Sequence, residues 1–336
     1  MISSAGDPNR VKALLLNQNK GETLARLETL DERDLPPGDV VVSVAYSSLN
    51  YKDALAVTGK GKIVRYYPMV PGIDLAGIVE KSDSPEFSPG DPIILTGYGV
   101  GEDHWGGFAQ KARVRAEWLV PLPRGLTLQQ SMAIGTAGFT AMQCVMALEE
   151  HGLQPGSGDV IVTGASGGVG SISIAILAKK RYRVVASTGK KEAHDYLREL
   201  GAAEIWDRNA LLRISTGKPL ESQKWNGAID TVGGETLAVL LSTMKREASV
   251  AACGLAGGSS LHTTIFPFIL RGVNLLGISS VYCSMERRRE VWKRLTQDLP
   301  LQLLERMTHM ISLEEVPKFS EKILRGEIQG RTVIRM

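Results

Sequence analysis

Asp159 to Lys180 reads DVIVTGASGGVGSISIAILAKK, and the fold turns on it. DVIVTG is a continuous apolar run of the kind that fills a strand buried on both faces, and VGSISIAILAKK has helical periodicity. Between them, VTGASGGVG (Val162–Gly170) stands where a strand hands over to a helix, the setting a dinucleotide-binding turn requires. Glycine lets the backbone pass close to a pyrophosphate, and the helix N-terminus offers unpaired N–H groups with about half a positive charge. The spacing Gly164, Gly167, Gly170 is G-x-x-G-x-x-G and departs from G-x-G-x-x-G. A turn that merely packs a helix onto a strand would use the same letters; strand, turn and helix together favour the phosphate cradle.

The next strand, YRVVASTGKK (Tyr182–Lys191), bears on which cofactor is held. A cofactor with a free 2′-hydroxyl asks for an Asp or Glu about 20 residues on. Here the strand ends in Ser187, Thr188, Gly189, Lys190 and Lys191, where hydroxyl donors, a close-approach glycine and two cations would attract a 2′-phosphate that a carboxylate would repel. NADPH is therefore expected over NADH, unless the two lysines are only a solvated helix start.

Outward from this unit the alternation continues. AEIWD, GAIDTV, ASVAACG and NLLGISS read as strands, and KEAHDYLRELG and GETLAVLLSTMK as helices, which together predict a parallel sheet covered on both faces. The first third is different: VKALLLN, DVVVSVAYS, AGIVEK, DPIILTGYG and FAQKARV are short β-branched runs separated by Gly, Pro and Asp turns, as in a small barrel or sandwich. GLTLQQSMAIGTAGFTAMQCVMALEEHGLQPG predicts a long helix ending at Gly152. SMERRREVWKRLTQDL and LEEVPKFSEKILRG predict two more, and RTVIRM a closing strand.

With 336 residues the chain has room for two domains, and 43% apolar with 22% charged residues describes a globular protein. A net charge of +3 is too small over this length to point to nucleic acid. Cys144, Cys253 and Cys283 lie far apart with no C-x-x-C spacing, which fits reduced thiols and a cytoplasmic location. The opening MISSAGDPNRVK lacks the apolar core of a secretory signal, and no uninterrupted apolar span suggests a membrane helix.

PGIDLAGIVE in a β-rich N-terminal part, followed by GASGGVG in a β-α part, resembles the medium-chain dehydrogenase/reductase superfamily. SSLNYKDALAVTGKGK, GEDHWGGFAQ, IGTAGFTAMQCVMALE, CGLAGG and IQGRT resemble its NADPH-dependent acrylyl-CoA reductases, grouped with zinc-free quinone oxidoreductases. The resemblance covers essentially the whole chain. It implies an α/β fold with a Rossmann-type doubly wound parallel sheet for NADPH over residues 134–304, and a GroES-like β-barrel catalytic domain over 1–133 and 305–336. It further implies cofactor contacts from Tyr51, Ser166, Gly167, Gly168, Val169, Thr188, Gly189, Lys190, Arg208, Leu255, Ile269 and Ser279, and a homodimer.

The zinc-dependent relatives carry Cys where this chain has Asn50 and His where it has Ile73, so their first shell of ligands cannot be assembled here and no metal is expected. The remaining histidines, His104, His151, His194, His262 and His309, have no ligand spacing. Without a metal, charge growing on an acceptor's carbonyl oxygen must be met by fixed donors. In SSLNYKDALA (Ser47–Ala56), Asn50 and Tyr51 supply an amide and a phenol, and Asp53 helps to orient them; Asn50 and Asp53 also have the positions of helix caps. The expected reaction is reduction of the C=C bond of a short α,β-unsaturated acyl-CoA, with a quinone as the alternative acceptor and a non-catalytic redox sensor built on Cys253 as a third reading. Lys60, Lys62 and Arg65 form either a landing strip for CoA phosphates or a solvated basic turn.

Overall fold

The computed structural model describes residues 9–336. Residues 1–8, which hold most of the segment read as lacking a secretory signal, lie outside the described residues. The chain divides into two units. One runs through to Thr136 and takes back Val281–Arg289 and Met307–Met336; the other comprises Ala137–Ser280 and Glu290–Arg306. The first boundary falls after Thr136, where 133 was expected, and residues 281–289 join the first unit. Tyr98 explains the second point, since its N–H donates to Val281 O at 3.0 Å and holds that segment.

In the first unit, Val40–Leu49 is the organising strand. It pairs antiparallel with Asp74–Ser82, Lys111–Val114 and Arg331–Arg335. The sheet continues through Pro92–Thr96 to Val120–Pro121 on one side and Thr308–Ser312 on the other. The period of two is visible in the core, where Val40, Val42 and Val44 pack with Leu75, Val79, Ile93 and Leu95. Leu49, Val57, Val70 and Phe108 pack with Val11, Leu14 and Ile334 in a second cluster. A separate hairpin joins Arg10–Asn19 to Glu22–Asp31. Its second strand, ETLARLETLD, was not predicted: none of its residues is fully buried and partly buried and exposed positions do not alternate along it, and Lys20 and Gly21 at φ 50° and 88° set it by turn geometry.

The second unit carries six parallel strands: Asp159–Thr163, Arg183–Thr188, Glu204–Asp207, Trp225–Asp230, Met244–Ala252 and Asn274–Gly277. Numbered along the unit, their spatial order is 3-2-1-4-5-6, the doubly wound Rossmann order. Every predicted strand of this sheet is present. The predicted KEAHDYLRELG helix is shorter, a 3₁₀ turn at Lys191–Ala193 and a helix at His194–Glu199.

The long predicted helix is Leu128–Glu150, broken inside by Gly135 at φ 49° and ψ −160°. By length and composition it could cross a membrane, but 94% of its most apolar window is buried inside the protein, so its apolar surface is already used by the core.

Candidate active site

The SSLNYKDALA stretch folds as a strand that hands over to a helix. Val40–Leu49 ends, Asn50 stays extended at φ −108° and ψ 166°, and Tyr51–Thr58 is helical with Gly59 as its left-handed C-cap. Asp53, at the third helical position, reaches back and accepts from the Asn50 backbone N–H at 2.9 Å. The expected cap is therefore real.

It is also part of a larger buried network. Asn50 Nδ2 donates to Asp53 Oδ2 at 3.1 Å and to Asp74 Oδ2 at 2.9 Å, while its Oδ1 accepts from Arg331 Nη1 at 3.0 Å. Asp74 further accepts from Ser48 Oγ at 2.5 Å, Thr136 N at 2.9 Å and Thr136 Oγ1 at 2.5 Å. Asp53 Oδ1 accepts from Ile73 N at 2.9 Å. Arg331 Nε donates to Ala133 O at 2.8 Å. Gly135 lies over this cluster, where a Cβ would stand 2.7 Å from both Arg331 Nη2 and Asp74 Oδ2. Its φ and ψ are open only to glycine.

One buried guanidinium thus faces two buried carboxyls. Burial, and then the charge of Asp74, push the Asp53 carboxyl up to about 7 against the hydrogen bonds from Asn50 and Ile73. Burial also lowers Arg331, which Asp74 and Asp53 oppose. Both amide protons and the carbonyl of Asn50 are used within this cluster, so Asn50 and Asp53 shape the helix that carries Tyr51. Tyr51 itself is 43% exposed and presents its phenol outward from the first helical turn.

In the second unit the cradle sits at the carboxyl ends of strands 1 and 4, where the chain departs to opposite sides of the sheet. Buried Asp230 ties these ends together: its carboxylate accepts from Thr163 Oγ1 at 2.6 Å and Gly233 N at 2.8 Å. Burial raises its pKa against those bonds. Gly164 has φ 57°, and a Cβ there would lie 2.1 Å from Thr231 Oγ1, so this glycine is required by packing. Gly167 differs: a Cβ would meet only Gly164 O, at 3.3 Å. It opens helix Gly168–Lys179, whose N-terminus has no side-chain cap. Open space before uncapped N–H groups fits a pyrophosphate.

At the end of strand 2, Ser166 Oγ and Thr188 Oγ1 are 3.4 Å apart, and Thr188 Oγ1 accepts from Lys190 N at 3.2 Å. A Cβ on Gly189 would touch the Arg208 guanidinium at 3.0 Å, so Arg208, expected by resemblance alone, lies against the Gly189–Lys190 turn. Burial lowers the Lys190 pKa. Leu255 and Ser279 follow the carboxyl ends of strands 5 and 6, on the cradle's edge of the sheet. Ile269 is 64% exposed on helix Phe266–Arg271.

Lys60 Nζ is paired with Glu321 Oε2 at 2.6 Å, while Lys62 and Arg65 are exposed. Cys253 is half-buried with Sγ 3.5 Å from Asp230 O; its thiol and burial together push buried Cys144 well above the usual thiol range, the reverse of what a reactive thiolate needs. Among the described residues no three His, Cys, Asp or Glu side chains converge as a metal site.

Sequence reasoning missed Asp74, Arg331, Ser48, Thr136 and Asp230 as members of these clusters. The available signal was an acid inside an apolar strand run, in PGIDLAG and in GAIDTV.

Comparison with known proteins agrees with this geometry. Residues 36–124 match the "Alcohol dehydrogenase GroES-like domain" and residues 168–297 the "Zinc-binding dehydrogenase" family model. Acrylyl-CoA reductase AcuI of Ruegeria pomeroyi is 53% identical over 95% of this chain and 96% of its own. The crystal structure of the yhdH oxidoreductase of Salmonella enterica in complex with NADP superposes with a TM-score of 0.94 at 53% identity, covering 97% and 99% of the two chains. That of Bacillus subtilis protein yhfP with NAD bound gives 0.93 at 46%, covering 97% and 99%. With a GroES-like unit, a Rossmann sheet in 3-2-1-4-5-6 order and relatives of this identity over nearly its full length, the chain belongs to the medium-chain dehydrogenase/reductase oxidoreductases, in the group that includes acrylyl-CoA reductase.

Proposed function

We propose that this protein reduces the C=C bond of a short α,β-unsaturated acyl-CoA, of the acrylyl-CoA type, with NADPH and without a metal. The observation that carries the reading is the 53% identity, over nearly the whole of both chains, to an acrylyl-CoA reductase. NADPH supplies the hydride when bound. The second unit holds it: the uncapped helix after Gly167 takes the pyrophosphate, and Thr188, Gly189, Lys190 and Arg208 take the 2′-phosphate. The first unit serves the acceptor. Tyr51 donates a hydrogen bond to the thioester oxygen as negative charge grows there. Asn50 and Asp53 are positioning residues, which hold the first turn of the Tyr51 helix through Asp74 and Arg331. Asn50, which by resemblance stands where zinc-dependent relatives carry a cysteine, has its amide committed to Asp53, Asp74 and Arg331, and this supports the metal-free reading.

Two further elements belong to the proposal. Three free cysteines support a reducing, cytoplasmic setting. Strand Asn274–Gly277 is an edge of its sheet, and Leu275, Ile265, Phe266, Ile269 and Leu270 are exposed beside it in sequence. An apolar edge of this kind supports a homodimer that covers it.

The test is NADPH oxidation followed with acrylyl-CoA and, separately, with a naphthoquinone. Selective turnover of the thioester is expected, and turnover of the quinone alone would overturn the assignment.

A further inference from the structure

Outside the clusters above, the first unit has a cavity of about 660 Å³ lined by Tyr98, Trp118, Tyr282, Arg115, Asp103 and Glu117. Tyr98 and Trp118 lie nearly parallel, 10° apart with centroids 6.2 Å apart, and His104 fixes Trp118 edge-on at 5.1 Å. The fully buried Arg288 backs the Tyr98 ring at 4.5 Å and is held by Thr96 O at 2.7 Å. Tyr98 adopts φ 54°, a left-handed conformation that a bulky side chain seldom takes, between two glycines. Strain of this kind is kept where the side chain has work to do. Tyr282 is 67% exposed, and the Tyr98 hydrogen bond to Val281 O places its segment beside the rings.

The exposed Tyr282 ring, beside the stacked Tyr98–Trp118 pair, offers a face to a flat ring system. Asp103 is an acceptor for an exocyclic amine, and exposed Arg115, 5.3 Å over Trp118 and 3.5 Å from Glu117, offers a cation to a phosphate carried on the ribose of that ring. An aminopurine nucleotide meets all three demands. The cavity also shares its short loops with Tyr51: Gly97 N donates to Ile73 O at 3.1 Å, Ile73 N to Asp53 Oδ1 at 2.9 Å, and Lys52 is paired with Glu102. We infer that this cavity is a second nucleotide subsite, separate from the cofactor cradle, which takes the adenosine 3′-phosphate end of the CoA ester. The inference rests on the acyl-CoA reading and names where that substrate's far end is held.

The probe is adenosine 3′,5′-bisphosphate, titrated calorimetrically into protein saturated with NADP⁺ so that the cradle is filled. It should bind, and Tyr282→Ala and Arg115→Ala, both at exposed positions, should each weaken it, Tyr282→Ala by about tenfold or more. No binding to the NADP⁺-loaded protein, or binding unmoved by both variants, would overturn the subsite. In kinetics, Tyr282→Ala should raise KM for acrylyl-CoA while leaving kcat, and all constants for the acrylyl thioester of N-acetylcysteamine, unchanged. Equal losses on the two thioesters would count against it. If neither thioester is turned over, the functional reading fails, and the bisphosphate titration alone decides whether the cavity binds a nucleotide.

Discussion

In the proposed function, Lys190 and Arg208 carry the choice of cofactor. Both flank Gly189, and neither has a role in the glycine turn itself, so their removal should act on the 2′-phosphate alone. Lys190→Ala is expected to raise the NADPH dissociation constant by about tenfold or more, the worth of a charge-assisted hydrogen bond. NADH binding should stay within about twofold. Fluorescence titration with both cofactors measures this, and parallel losses would show that Lys190 serves the fold. At the same scale, Asp53 links stability to pH. Its folded pKa of about 7 lies above the ordinary 3.8, so the native state binds the extra proton between those values. Its contribution is fully present below about pH 4 and is lost as pH rises through about 7. The melting temperature should fall across this window in the wild type, and fall less in Asp53→Asn. Identical slopes would remove the proton from Asp53.

The elements differ in how far their letters reveal them. Asp159–Thr163 and its neighbours were legible because a strand buried on both faces is a continuous apolar run, and the helix after Gly167 because its periodicity and glycines are local. Glu22–Asp31 was not, since a strand with no fully buried position carries no such pattern. The buried polar cluster was hidden for another reason: Asp74, Thr136 and Arg331 meet only after the sheet has paired Arg331–Arg335 with Val40–Leu49, and no local window contains them. Tyr51, Asn50, Asp53, Gly189, Lys190 and Arg208 were nameable from motif and resemblance, whereas Asp74, Thr136 and Arg331 behind Asn50 and Asp53 were not. The break at Gly135 belongs to this scale. Gly135→Ala should lower stability by about 2 kcal/mol or more through backbone strain and contact with Arg331 and Asp74; a denaturant midpoint equal to the wild type would mean that the helix can straighten without cost.

At the scale of the molecule, the proposed function gives the cofactor to the second unit, with its glycine turn at Gly164–Gly170, and the acceptor to the first, with its buried cluster around Asn50 and Asp74. The chain's apolar edge at 265–275 should be covered in solution. Ile265→Asp is expected to convert a dimer to a monomer in sedimentation velocity, and a wild type that sediments as a monomer would discard that idea. The reduction itself is tested most directly by the steady-state rate of NADPH oxidation with acrylyl-CoA, before and after exhaustive chelation. The predicted result is undiminished turnover of the thioester in metal-free protein. Loss of turnover on chelation, restored by zinc, would contradict it, as would no turnover at all.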